Sequence, residues 1–592
     1  MNETAYQASK LDSGFTVGPW HVEPERNVIF QNGDERHLEN RLMQTLVFLA
    51  ENRGQVISRK QFFDSVWQGL IVNEEALSRA ISLLRTALND NAQRPEFIQT
   101  IPGVGYRLIA TVTTNDPSSP ISPLTTQAQK NSIAVLPFIN LSDDPGNEYF
   151  SEGISEEILN VLSHIKRFKV VGRTSSFAFK DRNEDLRKIG KALGVSHVLE
   201  GSVRKAGNQV RITAQLIETE DGFHLWSETF DRSLEDIFAV QDQIAEKVAA
   251  QLRLALLPAT PKVTKTDPEA YALYLQARFL ERQSAAKANR QALELVQKAV
   301  SIAPDYTEAW YGMARIYSQM TTKANLPPVE GHRLAAEAAE KALLYNPDFA
   351  PAHALLGFMF SLFDLNFTAA AKHYQRALAL APTNIEIIGG AASMASCLGR
   401  LDTAIALREY ANARDPLNAA NHTLLGILYR CAGRCEDAVA SYSLALRLSP
   451  GIMSAYYNIG AAKMLHGEPE EALKATLQEE EEGYRLMGLA PIYHDLGMHE
   501  ESDAAMAEMI DKFEIEAAYN IGFMFAYRGE NDLAFEWLEK AFQGKDSGIS
   551  QINIEPIIAN LYSDPRWLPF LQRIGMSSEQ LDAIEFEVSL PK

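Results

Sequence analysis

A chain of 592 residues with 46% hydrophobic and 22% charged residues has the composition of a multidomain globular protein, which excludes wholesale disorder. The formal net charge of -20 argues against a protein that coats nucleic acid non-specifically. Three cysteines are too few for a disulfide framework, the N-terminus has no apolar h-region, and no run of 18 apolar residues occurs. A cytoplasmic location without membrane contact is therefore expected.

Two stretches lack periodicity and read as linkers: TTNDPSSPISPLTTQAQKNS (113–132), rich in Ser, Thr and Pro, and LPATPKVTKTDP (257–268). They divide the chain into an α+β domain over 1–112, an α/β domain over 133–256, an all-α array over 269–562 and a C-terminal cap over 563–592.

In the first piece, FTVGPWHVEPERNVIFQNGDERHL has the alternation and turns of a small antiparallel sheet. LENRLMQTLVFLAENRG is an amphipathic helix stopping at Gly54, and SRKQFFDSVWQG a short helix after the N-cap Ser58. EALSRAISLLRTALND carries Leu77, Ile81, Leu84 and Leu88 on one buried stripe, and FIQTIPGVGYRLIA reads as a β-hairpin. With that stripe inside, Ser78, Arg79, Ser82, Leu83, Arg85 and Thr86 face outward. Arg79 and Ser82 lie one turn apart, suited to base edges, and Arg85 and Thr86 are placed for phosphate.

Helix, turn, second helix and hairpin, together with Val66-Trp67, LSRAISLLRTAL and Gly105 to Leu108, resemble the OmpR/PhoB-type winged helix-turn-helix over about Phe15 to Val112. The resemblance implies that the second helix enters the major groove of double-stranded promoter DNA, that Trp67 contacts phosphate through its indole N–H, and that Tyr106 and Arg107 lie at the wing. The chain departs from the family in two places. No basic residue stands near Pro102-Gly103-Val104, and Leu83 occupies a position often polar or basic. The family's response regulators carry a receiver domain on the N-terminal side. Only about a dozen residues stand there, so control is expected from the C-terminal parts.

From Ile133 to Leu254, IAVLPFINLS, YFSEGISEEI, VVGRTSSF, IGKALGVSHVLEGSVR and HLWSETFDR, in that order, resemble the TolB N-terminal-like α/β module. In related proteins it sits between an output domain and tetratricopeptide (TPR) repeats, and in some others beside an adenylate cyclase. Asp143-Asp144 is expected in a turn, and Glu156-Glu157 at the opening of a helix, where negative charge complements the dipole. VGRTSSF offers Arg173 and hydroxyls to an anion, but without a phosphate-loop pattern. The module reads as a spacer or sensor.

In the third piece Pro304, Pro347, Pro382, Pro416 and Pro450 follow Ala-rich helices at gaps of 43, 35, 34 and 34 residues, the TPR period. The long gap implies an insertion at Thr321 to Gly331. The stretch containing EEEE at Glu479 to Glu482 reads as degenerate, and Cys431 and Cys435 flank a hairpin turn. Stacked TPRs offer a concave face to a protein or peptide.

The expected fold is a multidomain chain: an α+β winged helix-turn-helix, an α/β TolB-like module and an all-α TPR superhelix, of CadC/HilA-like architecture. The expected function is that of a one-component transcription regulator whose DNA binding needs a homodimer or an array of sites. No catalytic, cofactor-binding or metal-binding residue is expected. The alternative is a TPR scaffold whose winged helix binds protein.

Overall fold

In the computed structural model residues 15–590 are described, apart from 19, 32–33, 54–55, 67–73, 92–94, 96, 102–103, 111, 115–128, 164, 166–167, 183, 253–265, 284 and 323–325. The chain forms two compact units, Met1–Ser122 and Pro123–Lys592.

The first unit opens with β1 (Phe15–Val17), β2 (Trp20–Glu23), β3 (Val28–Gln31) and β4 (Asp34–His37). Then come α1 (Asn40–Glu51), β5 (Ile57–Ser58), α2 (Arg59–Val66), α3 (Glu74–Leu88), β6 (Ile98–Ile101), β7 (Gly105–Leu108) and β8 (Val112–Thr114). Strands pair as an antiparallel sheet β4-β3-β2-β1-β8 and a small sheet β5-β7-β6. The α1 helix ends at Glu51, before Gly54, which lies outside the described residues. Ser58 and Gln61 form a capping box at the start of α2. The Gln61 carboxamide oxygen accepts from the Ser58 N–H at 2.8 Å, and the Ser58 hydroxyl accepts from the Gln61 N–H at 3.3 Å.

In the second unit come β9 (Gln129–Val135), β10 (Ile139–Asn140), α4 (Glu148–Ser163), β11 (Lys169–Val170), α5 (Arg173–Phe177), α6 (Leu186–Leu193), β12 (Val195–Ala206), β13 (Gln209–Glu218), β14 (His224–Ser233) and α7 (Ile237–Gln251). The sheet order is β11-β9-β12-β13-β14, with β10 also on β12. It is parallel on the β11/β9/β12 side and antiparallel through β13 and β14. Strands β8 and β9 take up both ends of the stretch 113–132, and most of the remainder lies outside the described residues.

Eight antiparallel hairpins follow among the described residues: α8 (Pro268–Glu281) with α9 (Ala286–Ile302), α10 (Thr307–Thr322) with α11 (Pro328–Tyr345), α12 (Ala350–Leu362) with α13 (Phe367–Leu380), and α14 (Ile385–Cys397) with α15 (Leu401–Asn412). The others are α16 (Ala419–Cys431) with α17 (Cys435–Leu448), α18 (Ala455–Leu465) with α19 (Pro469–Thr476), α20 (Glu482–Asp495) with α21 (His499–Phe513), and α22 (Ala518–Tyr527) with α23 (Asn531–Gln543). Short helices α24 (Trp567–Arg573) and α25 (Ser578–Asp582) end the chain.

The stretch around Glu479, degenerate in its repeat pattern, still folds into hairpins: α19 is cut to 8 residues and α20 carries Pro491 inside it, and the buried Glu479 carboxylate accepts the Tyr457 N–H at 3.2 Å. Gly399, Gly433, Gly467, Gly497 and Gly529 end the first helix of successive hairpins at φ between +72° and +84°, so the turn glycines keep the repeat where the prolines lapse. At the expected insertion, 321–331, α10 runs to Thr322 and α11 starts at Pro328.

The apolar core ignores the boundary between sheet and array. Ile154 and Ile158 of α4, Phe238 of α7, Tyr271 and Tyr274 of α8 and Tyr306 share one buried cluster under the sheet. Phe238 and Tyr271 meet edge to face at 4.7 Å.

Candidate nucleic-acid interface

The α3 helix is held from its buried side. Leu77, Ile81, Leu84 and Leu88 are at most 1% exposed, as the spacing predicts. Its C-terminus is closed in two ways. Asn89, at φ +58°, lets the Asp90 N–H reach the Arg85 carbonyl at 2.8 Å and the Asn89 N–H reach the Thr86 carbonyl at 3.3 Å, a Schellman arrangement. Two side chains from the sheet then take further carbonyls that the helix leaves unpaired: Trp20 Nε1 donates to Leu88 O at 3.2 Å and Arg36 to Ala87 O at 2.7 Å. Neither Arg36 nor Asp90 stood out by residue type or helical phase. The dipeptide Asn89-Asp90 directly after Leu88 is a helix-stop signal that locates the cap.

Opposite the buried stripe, Ser78, Arg79, Ser82, Leu83 and Thr86 are exposed on one face. Thr86 Oγ1 donates back to Ser82 O at 3.1 Å. Leu83 is 42% exposed, an apolar side chain within this polar face.

Two of the named site residues, Arg85 and Tyr106, are placed otherwise than expected. Arg85 faces the hairpin: it donates to Ile98 O at 2.7 Å and to Thr100 Oγ1 at 2.8 Å, and its Nε lies 3.8 Å from Asp90 Oδ2. With its side chain 13% exposed, it braces α3 to β6 instead of standing open to phosphate. Tyr106 is a core residue, 6% exposed and edge-on to Phe62, and its hydroxyl lies 3.5 Å from Ser78 Oγ. Burial of Tyr106 follows from the β7 alternation, which turns Tyr106 and Leu108 inward. Arg107 pairs across the strands with Gln99, Nε to Oε1 at 3.1 Å. Trp67 and the wing residues Pro102 and Gly103 lie outside the described residues, and Val104 beside them is exposed.

The carboxylates and the VGRTSSF segment of the second unit serve other ends. Asp144 caps a turn, accepting the Gly146 N–H at 2.8 Å. Glu156 and Glu157 do not open a helix. The α4 helix begins at Glu148, so both sit mid-helix and lie against α8. Glu156 is paired with Arg173, Arg278 and Arg282, and Glu152 with Arg173 and Lys180. Burial pulls the Arg173 and Arg282 guanidiniums down to about 10, so both stay charged at neutral pH. Burial also raises the Glu157 carboxyl. Arg173 is thus spent on carboxylates of the same chain. Thr174 and Ser175 meet the loop before α16, where Asn418 Nδ2 donates to Thr174 Oγ1 at 3.3 Å and the Leu417 N–H to Ser175 Oγ at 2.9 Å. All three cysteines are free thiols, and burial pushes Cys431 up to about 12. Among the described residues no group of three His, Cys, Asp or Glu is placed to hold a metal, and no helix is long and apolar enough to cross a membrane.

Comparison with known proteins matches residues 33–108 to the family described as "Transcriptional regulatory protein, C terminal" and residues 128–247 to "HilA/YgeH-like transcriptional regulator, second domain". A Rhizobium meliloti protein assigned as adenylate cyclase 3 is 44% identical over 184 residues, 30% of this chain and 31% of the relative. The transcriptional regulator HilA of Salmonella paratyphi A is 26% identical over 407 residues, 67% of this chain and 69% of HilA. The transcriptional activator CadC of Escherichia coli is 42% identical over 97 residues, 16% of this chain and 19% of CadC. The chain thus spans less than two thirds of the cyclase-named protein and of CadC.

Proposed function

The chain has CadC/HilA-like architecture, a transcriptional-regulator winged helix followed by a HilA-type second domain, and on that premise we propose that it is a sequence-specific transcription regulator that reads promoter DNA with α3. The observation that carries this is the face of Ser78, Arg79, Ser82, Leu83 and Thr86, exposed together on a helix whose opposite stripe is fully buried. Such a helix fits the major groove. Arg79 suits the bidentate acceptor pair of guanine, Ser82 another base edge, and Leu83 the methyl group of a thymine. Phosphate contacts fall to Thr86, Ser78, Trp67 and Arg107, with Arg85 holding the scaffold. The test is retardation of promoter fragments by residues 1–122 at low salt. Loss of all retardation in a folded unit sinks the reading.

The remaining parts serve control. The α/β domain, read as TolB-like, and the TPR-like hairpins receive a signal or a protein partner in the cytoplasm and bring two chains together. Two tethered winged helices then occupy adjacent half-sites with avidity. A second reading rests on Leu83 and Val104, exposed apolar residues on the face and beside the wing. They favour a winged helix that binds protein within a TPR scaffold, and the same retardation experiment separates the two.

A further inference from the structure

The first helices of the hairpins stack side by side and form the face on which TPR-like arrays seat a peptide. In this chain that face is already in use. After α23 the chain turns through Gly544 and runs back along it as two short 3-10 turns, Ser547–Gln551 and Pro556–Leu561, before α24 and α25. The first turn touches α12 and α14 as well as α22, so it reaches from the eighth hairpin to the third and fourth.

Its grip is specific as well as apolar. Ile549, Ile552, Ile557 and Ile558 are buried in the core of the array. Between them Asn553 Nδ2 donates to Cys397 O at the end of α14, at 3.2 Å. Glu555 accepts a two-pronged bond from Arg430, in the last turn of α16, at 2.5 and 2.9 Å. Arg430 and Glu555 are 5% and 13% exposed, so the charges meet out of water, where a bidentate pair selects strongly for a carboxylate at that position. Farther along, Arg400 donates to the main-chain carbonyls of Ile584 and Phe586 at 2.7 and 2.8 Å, so one side chain holds two main-chain groups of the segment.

We propose that the first-helix face of hairpins three to five is a peptide groove whose resident ligand is the chain's own segment 545–588. A partner that takes the same seat is a peptide with one carboxylate for Arg430, flanked by isoleucine-like side chains, and it binds by displacing the resident segment. The inference deepens the protein-partner role proposed above and does not depend on DNA binding.

The test uses the full chain with a protease recognition sequence inserted between Gly544 and Lys545. After cleavage the 545–592 fragment stays bound to the rest of the chain, and excess labelled peptide 545–592 exchanges for it at a stoichiometry of one. Arg430→Met speeds release of the fragment tenfold or more, while retardation of promoter DNA by the same preparation is unchanged. Immediate loss of the fragment with Arg430 intact, or release that neither Arg430→Met nor Glu555→Gln alters, overturns the proposal. If the insertion prevents folding, hydrogen exchange of the uncut Arg430→Met chain decides. Faster exchange confined to residues 547–561 supports a displaceable ligand, and exchange unchanged or accelerated throughout the hairpins overturns it.

Discussion

The Ser175 N–H donates to Asp415 Oδ1 at 2.8 Å, joining the start of α5 in the α/β domain to the loop that opens α16, 240 residues away in the chain. The same junction is closed by the Gly172 N–H on Arg414 O at 2.7 Å and by the Thr383 hydroxyl on Ser163 O at 2.7 Å. Sheet and array therefore form a continuous body.

Asp415→Ala strips the partner from the buried Ser175 N–H. An orphaned buried donor costs about 1–3 kcal/mol. The expected result is a lower midpoint in denaturant, with hydrogen exchange accelerated at 172–178. Gly172→Ala acts on the same junction by crowding, since an added Cβ would stand 2.5 Å from Asp415 Cγ. Unchanged exchange at 172–178 in both variants would refute the coupling.

Arg79→Ala and Arg85→Ala separate reading from bracing. Arg79→Ala should weaken binding by about 1–3 kcal/mol at a subset of base positions, with thermal stability unchanged. Arg85→Ala removes the bonds to Ile98 and Thr100 and should destabilise residues 1–122 by about 1–3 kcal/mol, lowering DNA affinity across all sequences alike. Melting curves beside retardation across a set of point-mutated sites distinguish the two, and an Arg85→Ala unit that melts like the parent would restore Arg85 to a phosphate role.

The Arg430–Glu555 pair is testable by a double-mutant cycle. Removing one partner of a buried pair leaves an uncompensated charge and costs about 3–5 kcal/mol. Arg430→Met and Glu555→Met should each show a cost of that order, and the double variant should recover most of it. Additive losses would mean that the two charges are not coupled.

Burial pulls His332 down to about 4, below the usual histidine value. The neutral ring is favoured in the folded state and protonation favours unfolding. The stability it contributes is fully present above the unfolded value near 6.5 and falls as pH drops from there through about 4, with about one proton taken up on unfolding in that window. His332→Gln should flatten the decline between pH 6.5 and 4. An identical pH profile in the variant would show that other groups govern acid sensitivity.

Much of this was legible in the residues themselves. The stripe of Leu77, Ile81, Leu84 and Leu88 defined which side of α3 faces inward, because a helix with a 3.6-residue period leaves one continuous face for the core. The same logic exposed Arg79 and Ser82. The 34-residue spacing and the turn glycines described the hairpins, since each is a local unit whose helix stops are written in its own sequence.

What lay beyond the sequence was every contact between residues far apart in it. Helical phase placed Arg85 outward and residue type made it a candidate for phosphate, but only the folded hairpin brings Ile98 O and Thr100 within reach of its guanidinium. Glu156 read as a helix-opening charge and Arg173 as an anion-binding group, until packing of α5 and α8 against α4 set Arg173, Arg278 and Arg282 around Glu156. Residues 563–592 read as a cap and Glu555 as part of the array, and tertiary structure carries both across the first helices, to Arg400 and Arg430. Periodicity and caps are short-range and can be read from neighbours in the chain. The choice of partner for a buried charge is made by desolvation, and that depends on which distant elements the fold closes over it.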